Sequence, residues 1–353
     1  MAIQQIRITN LRLIEELEFE PADGLNLIWG ANGSGKTSIL EALYLLGRGK
    51  SFRKAERDQL VRTGEQQLSL FVRTRVNSSI HTLGLIKTQG TTQAKLDGQK
   101  ISRMSDLARA IPLTVITPNS HEILERGPQY RRRFLDWGVF HVEPEFRYTF
   151  ERFARCLKQR NASLRAKGTF NASWDHELVE TGISVNSYRE RYHERLSKKI
   201  RQLATELIGI NELQVEWNRG WSDKSDLGDY LDEMRQGDII AGYTRYGPHR
   251  ADMLMQIRNR KVEKFASRGQ QKMLVAAMHL AQVEIAKEIA GSEPIILIDD
   301  LPSELDSKNR HLLLNYLKQM GNQTFITGVE NISGGELVFP GVFHVEHGLI
   351  STD

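Results

Sequence analysis

At 353 residues, with 40% apolar, 26% charged and 8% aromatic side chains, the chain has the composition of a globular protein of about two domains at roughly 150 residues each. Charges break its apolar stretches within about ten residues, short of the roughly 18 that a spanning helix needs, which excludes a membrane channel. The single cysteine, Cys156, excludes intrachain disulfides, paired-thiolate zinc sites and iron–sulfur clusters, and 48 Lys and Arg against 44 Asp and Glu leave a net charge of only +4, which permits nucleic acid without requiring it.

The first residues carry polar side chains where a signal peptide needs an apolar core, so a cytoplasmic location is expected. Short strands are predicted at Ile3 to Ile8, Leu17 to Phe19, Leu25 to Trp29, Leu68 to Val76 and His81 to Lys87, the later ones forming a β-meander. Asp97-Gly98 is a tight hairpin turn, because glycine adopts positive φ without steric cost.

Between the third strand and a helix through Leu46 lies Gly30-Ala31-Asn32-Gly33-Ser34-Gly35-Lys36-Thr37. Its spacing is that of a phosphate loop, and both flanks have the context the motif requires. Its glycines turn backbone N–H groups onto phosphate oxygens, Lys36 reaches the β and γ phosphates of ATP, and the Thr37 hydroxyl takes Mg²⁺. A structural glycine turn is the bland alternative.

From Ser120 to about Leu207 the spacing becomes helical, with Val185, Tyr188, Tyr192, Leu196, Ile200, Leu203 and Leu207 on one face. The other face, with Arg189, Arg191, Arg195, Lys198, Lys199 and Arg201, either tracks a phosphate backbone or is solvated. The predicted architecture is an α/β domain with a mixed sheet and a β-meander, built from residues 1–116 and 240–353 and interrupted by an all-helical insertion at 117–239.

Further on, Ser267-Arg268-Gly269-Gln270-Gln271 opens a helix, as a nucleotide-capping motif or an ordinary Ser N-cap. Pro294 to Asp300 is a buried-strand run ending in two carboxylates. Asp299 is placed to hold Mg²⁺ through water, and Asp300 to accept the proton of an attacking water. The closing strands are Val342 to Val345 and Gly348 to Ile350.

The Ser267, Gly269 and Gln270 segment, with Ser303-Glu304-Leu305-Asp306, resembles the signature and D-loop of the ABC class. That resemblance implies a dimer in which each subunit caps the ATP held by the other. The insertion lacks the sustained heptads of the chromosome-maintenance ATPases. Arg131 to Asp136, Leu157 to Asn161, Trp174-Asp175 with Leu178 and Gly182, Tyr246 to Arg250, and Asp299 to Asp306 are similar to the pattern of the RecF family of bacterial recombination and repair ATPases. Arg268, where that family has Gln, and Ala251, where it has an acidic residue, depart from the pattern. The strand Gln323 to Gly328 ends without the switch histidine of transporter ATPases, so slow hydrolysis is expected.

The resemblance implies an ABC- and SMC-head-like fold and a weak, DNA-stimulated ATPase. Its ATP-bound homodimer would clamp double-stranded or gapped DNA and, with RecO- and RecR-type mediators, load recombinase on single strands coated with single-strand-binding protein. The alternative is a nucleotide-switched scaffold with negligible hydrolysis. Arg131, Arg132 and Arg133, with Lys50, Arg53, Lys54 and Arg57, are the basic clusters available for DNA phosphates. Arg132 or Arg133 paired with Asp136 or Glu122 is the structural alternative.

Overall fold

The computed structural model describes residues 1–53, 60–76, 78–166, 172–301, 305–333 and 338–352. The chain divides into two compact units, one of residues 1–120 with 286–353, the other of residues 121–285. It opens with β1 (Ala2–Leu11), β2 (Ile14–Phe19) and β3 (Leu25–Trp29), enters α1 (Lys36–Arg48), and continues through β4 (Gln67–Val76), β5 (Ser79–Thr88), β6 (Thr92–Leu96), β7 (Gln99–Lys100), α2 (Met104–Ala110) and β8 (Leu113–Ile116). The second unit holds α3 (Glu122–Glu125), α4 (Pro128–Val142), α5 (Phe146–Arg165), α6 (Asp175–Ile208), β9 (Leu213–Asn218), α7 (Leu227–Glu233), α8 (Arg235–Ala241), β10 (Asp252–Ile257), β11 (Arg260–Lys261), α9 (Val262–Phe265) and most of α10 (Arg268–Ala290). The first unit then resumes with β12 (Ile295–Ile298), α11 (Ser307–Met320), β13 (Thr324–Gly328), β14 (Gly341–Glu346) and β15 (Leu349–Thr352).

In the first unit two six-stranded sheets enclose α1. The meander sheet, ordered β2-β1-β4-β5-β6-β7, buries alternate residues such as Leu68, Leu70 and Val72 of β4, as expected where one face is solvated. Its β6–β7 hairpin turns at Asp97 (φ 49°) and Gly98 (φ 79°), the two positive φ values that Asp-Gly accommodates. The second sheet, ordered β15-β14-β3-β13-β12-β8, is parallel except for β15. Its central strands are buried almost throughout, so they read as apolar runs. Ile39, Leu40, Leu43 and Leu46 of α1 join side chains from both sheets in one core.

The mixed sheet and the β-meander have the predicted form, and the interrupting unit departs from it in two respects. The interruption is not all-helical: β9, β10 and β11 form a three-stranded antiparallel sheet, with Met253 opposite Trp217. Because β10 hydrogen-bonds to β9, residues 240–285 pack with the insertion, and the sequence-based boundary at 240 moves to about 285. The apolar face of α6 is buried as its spacing predicts, apart from the half-buried Tyr188.

Buried arginine–carboxylate pairs bind this unit together. Arg160 of α5, with a fully buried side chain, donates to Asp175 Oδ1 (3.0 Å), Asp238 Oδ2 (2.8 Å) and Thr244 Oγ1 (2.7 Å). Burial raises the Asp175 carboxyl pKa, and the charge of Arg160 opposes that shift. Arg189, placed by sequence on the cationic face of α6, is buried, forms a bidentate pair with Asp136 (2.7 and 2.9 Å) and donates to the Pro248 carbonyl (2.7 Å). Arg160→Ala leaves Asp238 buried with only the weaker Arg245 contact, and is expected to destabilise the protein by about 3–5 kcal/mol in urea unfolding followed by circular dichroism. A loss below about 1 kcal/mol would show that the network does not hold the unit together.

Candidate functional site

β3 delivers the chain to the phosphate loop at the C-terminal edge of the parallel sheet, where the topology of such sheets places ligands. The loop curls through Gly30 (φ 149°), Gly33 (φ 80°) and Gly35 (φ 120°), and Lys36 and Thr37 begin α1. Gly30 is required for space as well as conformation, since a Cβ there would run into the Val345 carbonyl at the end of β14. The Gly348 N–H donates to the Ser34 carbonyl (2.8 Å), tying the β14–β15 hairpin to the loop.

The Lys36 ammonium arches over the loop and donates to the carbonyls of Gly30 and Ala31, each at 2.7 Å. Burial lowers its pKa, opposed by the charges of Asp300 and Asp299. The first-turn N–H groups of α1 have no intrahelical acceptor and carry the positive end of the helix dipole. Asn32 lies between them and Ala31, on the exposed rim of the loop.

The second motif enters from β12. Asp299 is buried, and its Oδ1 accepts from the Thr37 hydroxyl of α1 (2.9 Å) and from the Thr327 hydroxyl of β13 (2.9 Å). Burial raises its pKa, and these two hydrogen bonds lower it. The topology explains the meeting: β13 pairs with β3 on one side and with β12 on the other, so its last residues lie between the two motifs. Thr327 also accepts the Asp300 N–H (2.8 Å), at the point where Asp300 turns the chain with φ 54°. Thr327 is the penultimate residue of β13, and its bridging role has no sequence motif of its own.

The donor set fits a nucleotide phosphate with Mg²⁺. The Ser34 hydroxyl is buried with no hydrogen-bond partner, in a loop of backbone donors shaped for an anion. Thr37 and Asp299 give a hydroxyl and one carboxylate, the sparse protein set typical of Mg²⁺ bound with phosphates and water.

In the second unit, Ser267 and Gln270 form a reciprocal capping box, in which Gln270 Oε1 accepts the Ser267 N–H (3.0 Å) and Ser267 Oγ accepts the Gln270 N–H (3.3 Å). Gly269 beside them has φ below zero, and a Cβ there would meet nothing within 4 Å. The chain's own packing therefore does not require glycine at this position. Arg268 forms an ion pair with Glu125.

The basic triplet separates. The Arg131 guanidinium pairs with both oxygens of Asp252 (2.7 and 3.0 Å) and donates to the Arg126 carbonyl (2.8 Å), contacts that hold α4 to β10. Arg132 is half-buried and donates to the Ala251 carbonyl (2.6 Å). Arg133 is exposed and has no ion-pair partner among the described residues. The sequence-predicted pairings with Asp136 and Glu122 go instead to Arg189 and Arg126. Arg53 is exposed, and its charge helps to lower the Asp299 pKa, so it belongs to the surroundings of the nucleotide site. Lys54, Arg57, Ser303 and Glu304 lie outside the described residues.

A parallel-sheet phosphate loop, joined through its Thr hydroxyl to a buried carboxylate two strands away, defines a nucleotide-binding ATPase head. Residues 2–350 match the RecF/RecN/SMC N-terminal domain family. The chain is 38% identical to the DNA replication and repair protein RecF of Shewanella halifaxensis, covering 99% of this chain and 98% of the relative, and 37% identical to that of Shewanella oneidensis over 99% of each. Among solved structures, that of the recombination mediator protein RecF with ATP superposes with a TM-score of 0.89 at 24% identity, over 100% of this chain and 97% of the other. The Smc head domain with an extended coiled coil from Pyrococcus furiosus gives 0.60 at 14%, over 100% of this chain and 96% of the other. The chain belongs to the RecF family. Among the described residues no helix is long and apolar enough to cross a membrane.

Thr327→Val removes one of the two hydrogen bonds to Asp299 and the acceptor for the Asp300 N–H, with an expected stability loss of about 1–3 kcal/mol. The Asp299 pKa, already raised by burial, should rise further, so part of the loss requires the ionised carboxylate. That part should be complete at neutral pH and shrink as pH falls through the raised pKa; urea unfolding at pH 7 and pH 4 measures it. A loss that does not change with pH would show that the hydroxyl does not stabilise the carboxylate.

Proposed function

We propose that the protein is an ATP-dependent DNA-binding protein of recombinational repair and replication-fork maintenance, whose ATP-bound homodimer clamps double-stranded DNA at gaps. With RecO- and RecR-type mediators it promotes recombinase loading, and weak DNA-stimulated hydrolysis releases it. The observation that carries the nucleotide half is the Thr37–Asp299 hydrogen bond, which puts the metal-holding hydroxyl and carboxylate within one site. The DNA half rests on family membership, on relatives named for DNA replication and repair, and on a structural neighbour described as a recombination mediator of the RecFOR pathway.

In this reading the loop N–H groups and Lys36 hold the β and γ phosphates, with the Ser34 hydroxyl available as a further contact. Mg²⁺, held by Thr37 and through water by Asp299, would neutralise charge developing on the phosphates. Asp300, whose backbone N–H is held by Thr327, takes the proton of the attacking water. In the dimer, Ser267, Gly269 and Gln270 at the start of α10 cap the nucleotide of the partner subunit. The lack of a switch histidine at the end of the strand Gln323 to Gly328 supports slow turnover, and it also favours the second reading, a nucleotide-switched scaffold. Asp300→Asn separates the two: the scaffold keeps working, whereas a hydrolysis-driven clamp stays on DNA.

Lys36→Ala is expected to abolish tight ATP binding in equilibrium titration, and retained affinity would remove the phosphate-loop assignment. Ser267→Arg should leave ATP binding intact and block nucleotide-dependent dimers in sedimentation with a non-hydrolysable ATP analogue and Mg²⁺. Ser267→Ala is the control, because it loses the same helix cap, worth about 1 kcal/mol, without the bulk. Loss of ATP binding and dimer together in Ser267→Arg would contradict the shared site. Affinity for gapped duplex DNA should fall steeply between two salt concentrations, and a flat response would contradict phosphate contacts.

A further inference from the structure

Three of the sequence segments that the nucleotide site does not use converge in the second unit on a cavity of about 470 Å³, within the roughly 300–1,000 Å³ of ordinary small-molecule pockets. Helical spacing builds its walls. Gln129, Arg132, Arg133 and Asp136 follow one face of α4, and Phe150, Phe153, Ala154, Leu157, Lys158 and Asn161 follow one face of α5. Arg165 at the end of α5, Arg189 of α6 and His249 complete the lining.

The charges in this cavity are strongly unbalanced. Its only carboxylate, Asp136, is held bidentate by Arg189, which makes that pair neutral. Arg133, Lys158 and Arg165 have no ion-pair partner among the described residues, and Arg132 is satisfied only by a carbonyl. Burial and repulsion by Arg189 and Arg250 disfavour the charged form of Arg132, and the carboxylates of Asp252 and Asp136 offset them in part, leaving its pKa lowered. The His249 ring donates from Nε2 to the Thr244 carbonyl (2.8 Å), and burial lowers its pKa to about 4, so it remains neutral at physiological pH. Repulsion of this kind is relieved when an anion binds.

On α5 the face that carries Lys158, Asn161 and Arg165 is made partly apolar by Phe150, Phe153, Ala154 and Leu157, and the Arg189 guanidinium lies 5.8 Å from the centre of the Phe150 ring. Bare phosphate would not use the apolar part of this lining, whereas a flat ring carrying phosphate uses both kinds of side chain, packing against Phe150, Ala154 and Leu157 while its phosphate forms charge-assisted hydrogen bonds with the cations.

We propose that this cavity is a second nucleotide site, separate from the phosphate loop, which takes a nucleoside 5′-phosphate either free or at the end of a DNA strand. The test uses the full chain with its phosphate loop saturated by a non-hydrolysable ATP analogue, and 2-aminopurine deoxyriboside 5′-monophosphate as a fluorescent probe. Saturable quenching is expected, weakened about tenfold or more in the Arg133→Ala/Lys158→Ala double variant and by a similar factor when the probe lacks its phosphate. Both side chains are exposed and unpartnered, so circular dichroism and ATP-analogue affinity should not change in the variant. Lys36→Ala, tested without the analogue, should keep the second site. Equal affinity in the double variant and the unaltered protein, indifference to the phosphate, or loss of probe binding in Lys36→Ala would each overturn the proposal. If a 5′-phosphorylated trinucleotide with 2-aminopurine at its first position binds as well as the monophosphate, the source is a strand end; if the trinucleotide is rejected, it is the free nucleotide.

Discussion

The nucleotide site depends on one buried carboxylate. Asp299 sits where burial opposes its charge, and it is held by two hydroxyls from different elements, Thr37 at the start of α1 and Thr327 at the end of β13. Because β13 lies between β3 and β12, the three meet only if all three strands keep their register. A slip of one residue would turn Thr327 to the opposite face of the sheet, leaving Asp299 with one donor fewer and the Asp300 N–H without its acceptor. The register of the parallel sheet is thus fixed both by apolar burial and by the polar groups at its C-terminal edge.

The parts of the site legible in the sequence share a property: each follows from local spacing. Gly30 to Thr37 is a continuous run whose glycines are dictated by backbone geometry, and the apolar strand before Asp299 is recognisable by its lack of alternation. The Asp97-Gly98 turn belongs to the same class. Thr327 was not legible, because a threonine at the end of an apolar strand becomes a bridge only when β13 is inserted between two strands distant in sequence. The sheet of β9, β10 and β11 was missed for a similar reason. Its strands are short and separated by two helices and a turn, so pairing over about 35 residues decides their state rather than their own periodicity.

Arginine was the least predictable residue type. The runs at 131–133 and along α6 look alike in sequence as basic surface, yet Arg131 and Arg189 are bound by carboxylates from Asp252 and Asp136 while Arg133 faces solvent. Sequence supplies the charge but not the partner, and a bidentate pair depends on an acid whose position is set by tertiary packing. The same partnering gives the second unit its internal connections: α5, α6 and α8 are joined by Arg160, Asp175 and Asp238. Such pairs stabilise weakly against an apolar alternative but are costly to break, so they favour this arrangement of helices over shifted packings.

The start of α10 is stabilised by groups of its own chain. Ser267 and Gln270 satisfy each other in the capping box, so the helix begins without help from any ligand. The backbone at Gly269 remains open, and no contact within the chain explains the absence of a side chain there. Arg268, the departure from the family pattern, is paired with Glu125 within its own unit. That pair neutralises the Arg268 charge locally, so the substitution leaves no unpaired cation beside the start of α10.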